Sequence, residues 1–312
     1  MNIHFWGVRG SLPTPLTPEQ VKFKISSVVQ KISQKDIETP EAREQFLDSL
    51  PAWIYGTVGG NTPCVEVTGE NGTKIVFDAG TGIRVMGKDG HPPRDLHYNL
   101  VFSHFHWDHI QGLPFFSPAY NPAASFDVYS PFADMESFLS NQMVPPYYPV
   151  RFNAFTKNFA FHTVEPLKTF RVGDFSVRCV EMSHPGKSYS YLVEEKGKKF
   201  VYATDVELTP KDFVRSSEMQ SVFGGADALV LDSQYTVEEA LRKENWGHSA
   251  FCYAIDFAIT WGVKKVFLFH HEPTYDDRKL HTILESANWY AKYVGHEEVE
   301  IHIATENQDV TL

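Results

Sequence analysis

The sequence predicts a mixed fold of the α/β or α+β class, a sandwich whose sheets carry helices on their outer faces. Many short segments rich in β-branched and aromatic residues, each bounded by turn residues, predict strands. Segments with helical character lie between them, mainly in the second half of the chain. The 312 residues contain no internal repeat and no Gly/Ser linker, so we expect residues 1–312 to form a single domain.

The chain begins with a predicted strand at residues 3–8, and a helical insertion at residues 17–50 follows it. A capping box at residues 17–20, with proline at the first helical position, begins the first helix of the insertion. An apolar stripe follows at helical spacing and comprises Val21, Ile25, Val28, Val29 and Ile32. A second short helix begins at residues 39–40 and ends at Pro51. We expect the stripe to pack on the body of the domain or on a partner subunit.

The rest of the chain is predicted to alternate strands and helices. The predicted strands are residues 64–67, 74–77, 100–102, 126–129, 175–181, 190–193, 200–202, 228–231 and 266–269. The predicted helices are residues 209–219, 235–243, 249–261 and 276–294.

Composition excludes several classes of protein. Lys and Arg number 28 against 39 Asp and Glu, a net charge of −11, which disfavours a protein that coats nucleic acid or an anionic membrane. We find no apolar run of the roughly 20 residues that a membrane span needs, and no signal-peptide pattern at the N-terminus. The three widely spaced cysteines lie in apolar segments and are expected to be buried thiols of a cytoplasmic protein.

A dense cluster of potential metal ligands follows the predicted strand at residues 100–102. His104, His106, Asp108 and His109 fall within six residues, in the run Ser-His-Phe-His-Trp-Asp-His. Imidazole nitrogens and carboxylate oxygens are ligands that zinc-type ions favour. A coincidental surface cluster is the alternative, but this spacing directly after a buried strand favours a metal site.

Three further ligand-type residues end strands downstream. His184 follows the strand at 175–181, Asp205 the strand at 200–202, and His270 the strand at 266–269. Each of them alone is more often structural. Because a sheet gathers its strand ends along one edge, we expect them to join the first cluster.

The run from His104 to His109, followed in order by His184, Asp205 and His270, resembles the metallo-β-lactamase superfamily. The resemblance covers nearly all of the chain outside residues 17–50. It implies an αββα sandwich with two divalent metal ions at one edge. Histidine and carboxylate ligands favour zinc and also accept manganese or iron.

The resemblance also assigns the ligands. One ion takes His104, His106 and His184. The other takes Asp108, His109 and His270, with Asp205 bridging the two, and His271 is the alternative to His270. Asp78 resembles the aspartate that braces the metal loop of this superfamily by hydrogen bonds.

Asn245-Trp-Gly-His248-Ser-Ala resembles the phosphodiesterase branches of the superfamily, such as ribonuclease Z, phosphoribosyl cyclic phosphodiesterases and cyclic-nucleotide phosphodiesterases. That resemblance implies catalytic roles for Asp108, His248 and Asp232, with His248 acting on the leaving oxygen and Asp232 holding its ring. In the alternative interpretation, His248 caps the following helix and Asp232 belongs to a turn.

Other residues could contact the substrate. Arg9, Lys187 and Ser188 could bind phosphate, and an ion pair that braces the first turn is the alternative for Arg9. Tyr147 or Tyr148 could stack on a base, although such Pro/Tyr segments are more often packed loops.

The sequence therefore predicts a metal-dependent hydrolase, a phosphodiesterase for a small phosphodiester such as a cyclic nucleotide or ribose cyclic phosphate. A thioester or lactone hydrolase, or a ribonuclease Z-like nuclease that processes tRNA 3′ ends, is the alternative, and iron-based redox chemistry or sensing is a further one. The net charge makes a nucleic-acid substrate less suitable. No membrane partner is expected. A homodimer is possible, from the insertion and the resemblance.

Overall fold

Two seven-stranded sheets form within residues 1–88 and 91–312, which a computed structural model describes. Chain-order numbering of the strands gives β1 Asn2–Gly7, β2 Cys64–Thr68, β3 Lys74–Phe77, β4 His97–Val101, β5 Ser125–Ser130, β6 Phe159–Thr163, β7 Phe170–Val172, β8 Phe175–Met182, β9 Ser188–Glu195, β10 Lys198–Ala203, β11 Ala228–Asp232, β12 Lys265–Phe269, β13 Glu300–Ile303 and β14 Asp309–Thr311. The first sheet has the order β14-β1-β2-β3-β4-β5-β6, and the second has the order β13-β12-β11-β10-β9-β8-β7.

Helices connect many of the strands along the chain. They are α1 Pro18–Lys31, α2 Pro40–Asp48, α3 Ala52–Tyr55, α4 Gly82–Met86, α5 Trp107–Ile110, α6 Met135–Asn141, α7 Ser217–Phe223, α8 Val237–Arg242, α9 Phe251–Trp261 and α10 Asp277–Tyr293. Short 3₁₀ turns accompany them at Gln34–Ile37, Leu113–Phe115, Ser117–Tyr120, Phe152–Ala154 and Pro210–Phe213.

Three apolar clusters hold these layers together. The central cluster joins inward-facing residues of both sheets, for example Phe77 of β3 with Tyr202 of β10, whose ring centroids are 4.9 Å apart. A second cluster packs α7, α9 and α10 on the outer face of the second sheet. The third packs α4, α5 and α6 on the outer face of the first sheet. The predicted αββα sandwich is therefore confirmed.

Strand direction decides where the polar residues meet. β3 to β6 run parallel to one another, and so do β10 to β13. The carboxyl ends of parallel strands lie along one edge, where the chain turns away from the sheet. Every residue that directly follows β3, β4, β10, β11 or β12 is therefore brought to that edge.

The helical insertion is present, but the prediction that its apolar stripe packs on the body is wrong. No residue of α1 is buried, and the side chains of Ile25 and Val29 are 59% and 64% exposed. The insertion is held instead by a polar contact, because Lys24 forms a 2.8 Å ion pair with the buried Asp277 of α10. Packing of the stripe against a partner subunit stays a prediction.

The predicted helix at 209–219 is also wrong, because this segment contains two separate elements. The 3₁₀ turn Pro210–Phe213 ends at Val214, whose backbone is extended. α7 then begins after Ser216, whose hydroxyl accepts a hydrogen bond from the backbone N–H of Met219. The sequence interpretation missed β6, β7, β13 and β14, which are short and contribute few alternating apolar positions.

No helix within the described residues is both long and apolar enough to cross a bilayer. Cys64 and Cys179 are buried free thiols, as predicted, whereas Cys252 is only partly buried.

Candidate metal centre

Seven predicted ligand residues converge at the edge where the strands end. They form two groups that share Asp205, and within each group one ligand atom per residue lies within 4.8 Å of the others. We call them the first ligand group, with His104, His106, His184 and Asp205, and the second ligand group, with Asp108, His109, Asp205 and His270. These are the two sets that the resemblance implied.

Asp205 faces both groups with different oxygens. Its Oδ2 lies 3.5 Å from His104 Nε2 and 3.7 Å from His184 Nε2. Its Oδ1 lies 3.1 Å from both His109 Nε2 and His270 Nε2. A carboxylate placed in this way can bridge two cations.

The remaining contacts close each group. In the first group, His184 Nε2 lies 3.1 Å from His106 Nδ1. In the second group, His270 Nε2 lies 3.1 Å from Asp108 Oδ2. Ligand atoms therefore point at one another across spaces of the size that a metal ion fills.

Outer hydrogen bonds fix the ring orientation of three histidines. Asp78 Oδ2 accepts a 2.8 Å hydrogen bond from His109 Nδ1 and a 2.7 Å bond from the Ser103 hydroxyl, whose oxygen lies 3.0 Å from His104 Nδ1. His184 Nδ1 donates to the carbonyl oxygen of Gly247 at 2.9 Å. Each ring therefore keeps its Nε2 lone pair free for a ligand, which is how metal-binding histidines are commonly oriented.

Burial and neighbouring charges set the protonation states of the ligand residues. Burial holds the pKa of His104 well below its usual value and lowers the pKa of His106 and His184, which keeps these imidazoles neutral. Burial opposes the charge on Asp205, but His270 and His109 outweigh it and hold the pKa of this carboxyl well below its usual range. Burial also opposes the charge on His109, but Asp205, Asp108 and Asp78 outweigh it and hold the pKa of this imidazole well above its usual value. Binding of a cation would therefore release a proton from His109. Neutral imidazoles beside an ionised carboxylate are the donor set that zinc and similar ions prefer.

Two buried nitrogens show that the site is incomplete without a cation. His104 Nε2 and His109 Nε2 have no hydrogen-bond partner within the part of the chain that the structure describes. A buried polar atom without a partner costs about 1–3 kcal/mol. Divalent metal ions therefore fit these residues.

The backbone is strained where it delivers three of these side chains. Asp78, Asp205 and His270 adopt positive φ angles of 57°, 51° and 60°. Asp78 directly follows β3, His270 directly follows β12, and Asp205 follows Thr204 after the end of β10. Such a conformation costs of order 1–3 kcal/mol for a residue with a Cβ and persists only when its surroundings fix it. Gly10 is required for a related reason, because a Cβ there would lie 2.5 Å from His270 Nδ1.

His248 and Asp232 form a pair beside both ligand groups. His248 Nδ1 lies 2.6 Å from Asp232 Oδ2, and Asp232 Oδ1 accepts a bond from the backbone N–H of Ser249 at 3.0 Å. The His248 ring stacks on His270 with centroids 4.9 Å apart and meets the edge of His184 at 5.5 Å. Burial opposes its charge, but Asp232 outweighs it and raises the pKa of His248 to about 9.

Of the residues predicted to contact the substrate, some line an open cavity and others are engaged elsewhere in the fold. Arg9 lies outside the ligand groups, since its guanidinium donates to the carbonyl oxygens of Gly59 and Tyr275. It also lies 3.9 Å from Asp277 Oδ1, so the geometry favours the ion-pair alternative. Ser188 is buried and donates to Thr204 O. Lys187 lines a cavity beside His106, as does Tyr147.

Two alternatives are likewise separated by their contacts. Tyr148 is a packed residue whose hydroxyl donates to Pro114 O. His271 points away from the ligand groups and bonds the carbonyl oxygen of Ala304 through Nε2 at 2.8 Å. The geometry therefore favours His270 over His271 and Tyr147 over Tyr148.

Comparison with known proteins places the chain in a family. A model of the beta-lactamase superfamily domain matches residues 73–271, more than half of the chain. The chain belongs to the metallo-β-lactamase superfamily. The family and its ribonuclease Z relatives identify the chain as a metal-dependent hydrolase, and the ligand groups described above are where it can hold divalent ions.

Individual relatives agree with that assignment. Ribonuclease Z from Thermoplasma acidophilum is 24% identical, with 75% of this chain and 89% of that protein covered. The metallo-beta-lactamase fold protein YhfI from Bacillus subtilis has a TM-score of 0.66 at 14% identity, covering 99% of this chain and 98% of its own. Unliganded yeast PDE1 has a TM-score of 0.63 at 14% identity, covering 100% of this chain and 99% of its own. The two structures show that the metallo-β-lactamase fold is shared.

Sequence reasoning missed several residues of this metallo-β-lactamase site. The backbone N–H of Ser11 donates to Asp108 Oδ2 at 2.9 Å, so the first turn of the chain holds a predicted ligand. Glu207 accepts hydrogen bonds from the backbone of Asn245 and Gly247 at 2.7 and 2.8 Å and thereby holds the loop before His248. Ser11 acts through its own backbone, and the Glu207 carboxylate binds the backbone of a distant loop, so residue type alone gives no signal for either contact. Trp107 did carry a signal, because an aromatic residue inside a polar ligand run is unusual.

Proposed function

We propose that the protein is a phosphodiesterase that hydrolyses a small phosphodiester in the cytoplasm. The observation that carries this proposal is the His248–Asp232 pair, which lies against ligands of both groups. Hydrolysis of a P–O ester bond expels an alkoxide, a poor leaving group that needs a proton. A hydrolase of thioesters has no such need, because a thiolate leaves readily.

The ligand groups suit two divalent ions, with zinc favoured and manganese or iron compatible with the same donors. Such ions would lower the pKa of a bound water and stabilise charge on the phosphoryl oxygens. His104, His106 and His184 would hold one ion, and Asp108, His109 and His270 the other, with Asp205 shared. Loss of Asp205 should therefore be visible as a change in metal content as well as in turnover.

The residues of the chain then handle the proton. His248 Nδ1 donates to Asp232, so its Nε2–H is the group available to the leaving oxygen. Asp232 stays in place because its other oxygen accepts backbone N–H bonds from Ser249 and Gln234 at 3.0 and 3.2 Å. Because the pKa of His248 is raised to about 9, the ring is protonated at neutral pH and can act as the general acid.

A ribonuclease Z activity is the second candidate, because relatives with that name are found. It would use the same ligand groups and the same acid. The net charge of −11 favours a small substrate over a polyanion such as tRNA. A comparison of a transfer-RNA precursor with cyclic nucleotides at physiological salt separates the two candidates.

The direct test uses the protein reconstituted with zinc or manganese. We expect turnover of bis(p-nitrophenyl) phosphate that disappears with a chelator, and little turnover of a thioester. Metal analysis of the same samples should give about two ions per chain. Thioester or lactone turnover without phosphodiester turnover would contradict the proposal and assign the protein to the other hydrolase class.

A further inference from the structure

A cavity opens beside the first ligand group and has a volume of about 670 Å³. His104 and His106 line one side of it, so the cavity is continuous with the first ligand group. Its volume lies in the range of small-molecule sites, about 300–1,000 Å³. A molecule that reaches the ligand groups with one end can therefore place another part here.

Five aromatic side chains line the remaining wall. Phe105, Phe132 and Phe138 contact one another with centroid distances of 5.2 to 6.2 Å and give the cavity an apolar side. Trp107 and Tyr147 also line it, and each is 82% exposed. A contiguous exposed apolar surface of this kind commonly marks a ligand-binding groove.

The cavity also has polar groups at defined places. The side-chain Nε2 of Gln142 is buried and has no acceptor within the described part of the chain. Asn141 lines the same space, and so does Lys187, whose ammonium forms a 3.1 Å ion pair with Glu181. An amide donor without a partner favours a ligand that brings an acceptor to it.

We propose that this cavity is a base-binding subsite, in which Trp107 and Tyr147 stack on the nucleobase of a nucleoside phosphodiester. The proposal rests on the phosphodiesterase function above and narrows it to substrates that carry a base. A base presents a flat π-face to aromatic side chains and ring nitrogens and carbonyl oxygens at its edge. Asn141 and Lys187, whose side chains are exposed, can donate to that edge, and Gln142 can do so once its buried amide turns toward the base.

Two other occupants fit less well. An acyl chain would match the phenylalanines but would cover the Gln142 amide without giving it an acceptor. A ribose cyclic phosphate without a base would reach the ligand groups and leave the aromatic wall bare. The cavity therefore favours a cyclic nucleotide over a ribose cyclic phosphate, a choice that the sequence alone left open.

The test compares a substrate with a base and one without. We would measure kcat/KM for adenosine 3′,5′-cyclic phosphate and for ribose cyclic phosphate with the metal-loaded protein and with Trp107→Ala, Trp107→Phe and Tyr147→Ala. We expect the ratio of the two values to fall about 10- to 100-fold in each alanine variant and to recover largely in Trp107→Phe. Because both residues are exposed, the variants should fold. Trp289→Ala, an exposed tryptophan on α10, is the matched control.

Binding of adenosine 5′-monophosphate, measured by calorimetry on the same proteins, tests the subsite without turnover. We expect binding to weaken about 10-fold or more in Trp107→Ala. An unchanged ratio together with unchanged nucleotide binding would overturn the subsite, while phosphodiester turnover would leave the proposed function intact. Nucleotide binding that depends on Trp107, in a protein that cleaves no phosphodiester, would support the subsite and overturn the proposed function.

Discussion

The ligand groups and the neighbouring aromatic cavity lie side by side and are built in opposite ways. In the ligand groups, most side chains are buried, and hydrogen bonds that the rings donate to Asp78, Ser103 and Gly247 fix their orientation. In the cavity, Trp107 and Tyr147 are largely exposed, and Gln142 has an amide nitrogen without a described partner.

This difference indicates that the ligand groups carry out the reaction and that the cavity selects the substrate. Charge stabilisation needs groups that are fixed before the substrate arrives, which requires burial and outer hydrogen bonds. Recognition of a base needs open surface that the substrate itself covers. Changes in the ligand groups should therefore act on turnover and metal content, whereas changes at the rim of the cavity should act mainly on KM.

The largest effect is expected from Asp205→Ala. The variant removes the carboxylate that faces both ligand groups, so we expect turnover to fall about 10⁴-fold or below detection. Metal analysis should show fewer ions per chain than the wild type. Asp309→Ala changes an exposed aspartate and should have the wild-type values. Full metal content with normal turnover would mean that Asp205 is not shared between two ions.

Asp232→Asn should reduce turnover about 100-fold and change its pH dependence. The Asp232 carboxylate outweighs burial and raises the pKa of His248, and the acid form is lost as pH rises through that pKa. Without the negative charge, the pKa of His248 falls, so activity should decline at a lower pH than in the wild type. Metal content should stay unchanged. If activity declined at the same high pH in both proteins, Asp232 would not be the group that raises the pKa of the general acid.

A smaller effect is expected from Glu207→Ala, which touches no ligand directly. Glu207 holds the loop whose Gly247 carbonyl orients His184. Loss of such an outer contact commonly weakens metal affinity about 10-fold. A zinc titration should show weaker binding of one ion and unchanged binding of the other. Glu238→Ala, on an exposed helix face, is the control, and equal weakening of both ions would contradict the assignment of His184 to one group.

Lys187→Ala should have the smallest effect. The ammonium lies on the rim, is exposed and already pairs with Glu181. An exposed charge contributes little, so we expect KM for a phosphodiester to rise about threefold with kcat unchanged. Lys168→Ala, another exposed lysine, serves as control. A large loss of kcat would contradict this prediction and show that Lys187 takes part in the chemical step.

The buried half of the site could be predicted from the sequence because its signals are local. His104 to His109 form one dense run, and His184, Asp205 and His270 each come shortly after a hydrophobic strand. Parallel strands bring such residues to one edge, so order along the chain is enough to place them.

The rest depends on contacts between distant segments. Arg9 could not be separated from a phosphate ligand until Gly59 and Tyr275 were seen to accept its hydrogen bonds. The apolar stripe of α1 has the spacing of a packed helix, yet periodicity does not say which surface faces it. Trp107 and Tyr147 are 40 positions apart in the sequence, and only the fold brings them to one cavity.

The most direct test of the account is the leaving-group dependence of His248→Ala. Bis(p-nitrophenyl) phosphate expels a stable phenolate, whereas a cyclic nucleotide expels an alkoxide that needs the proton. We predict that the variant keeps its metal and loses about 100-fold or more in turnover of the cyclic nucleotide, with a much smaller loss for the aryl ester. Equal losses for both substrates, or unchanged turnover of the cyclic nucleotide, would contradict the role of His248 as the general acid.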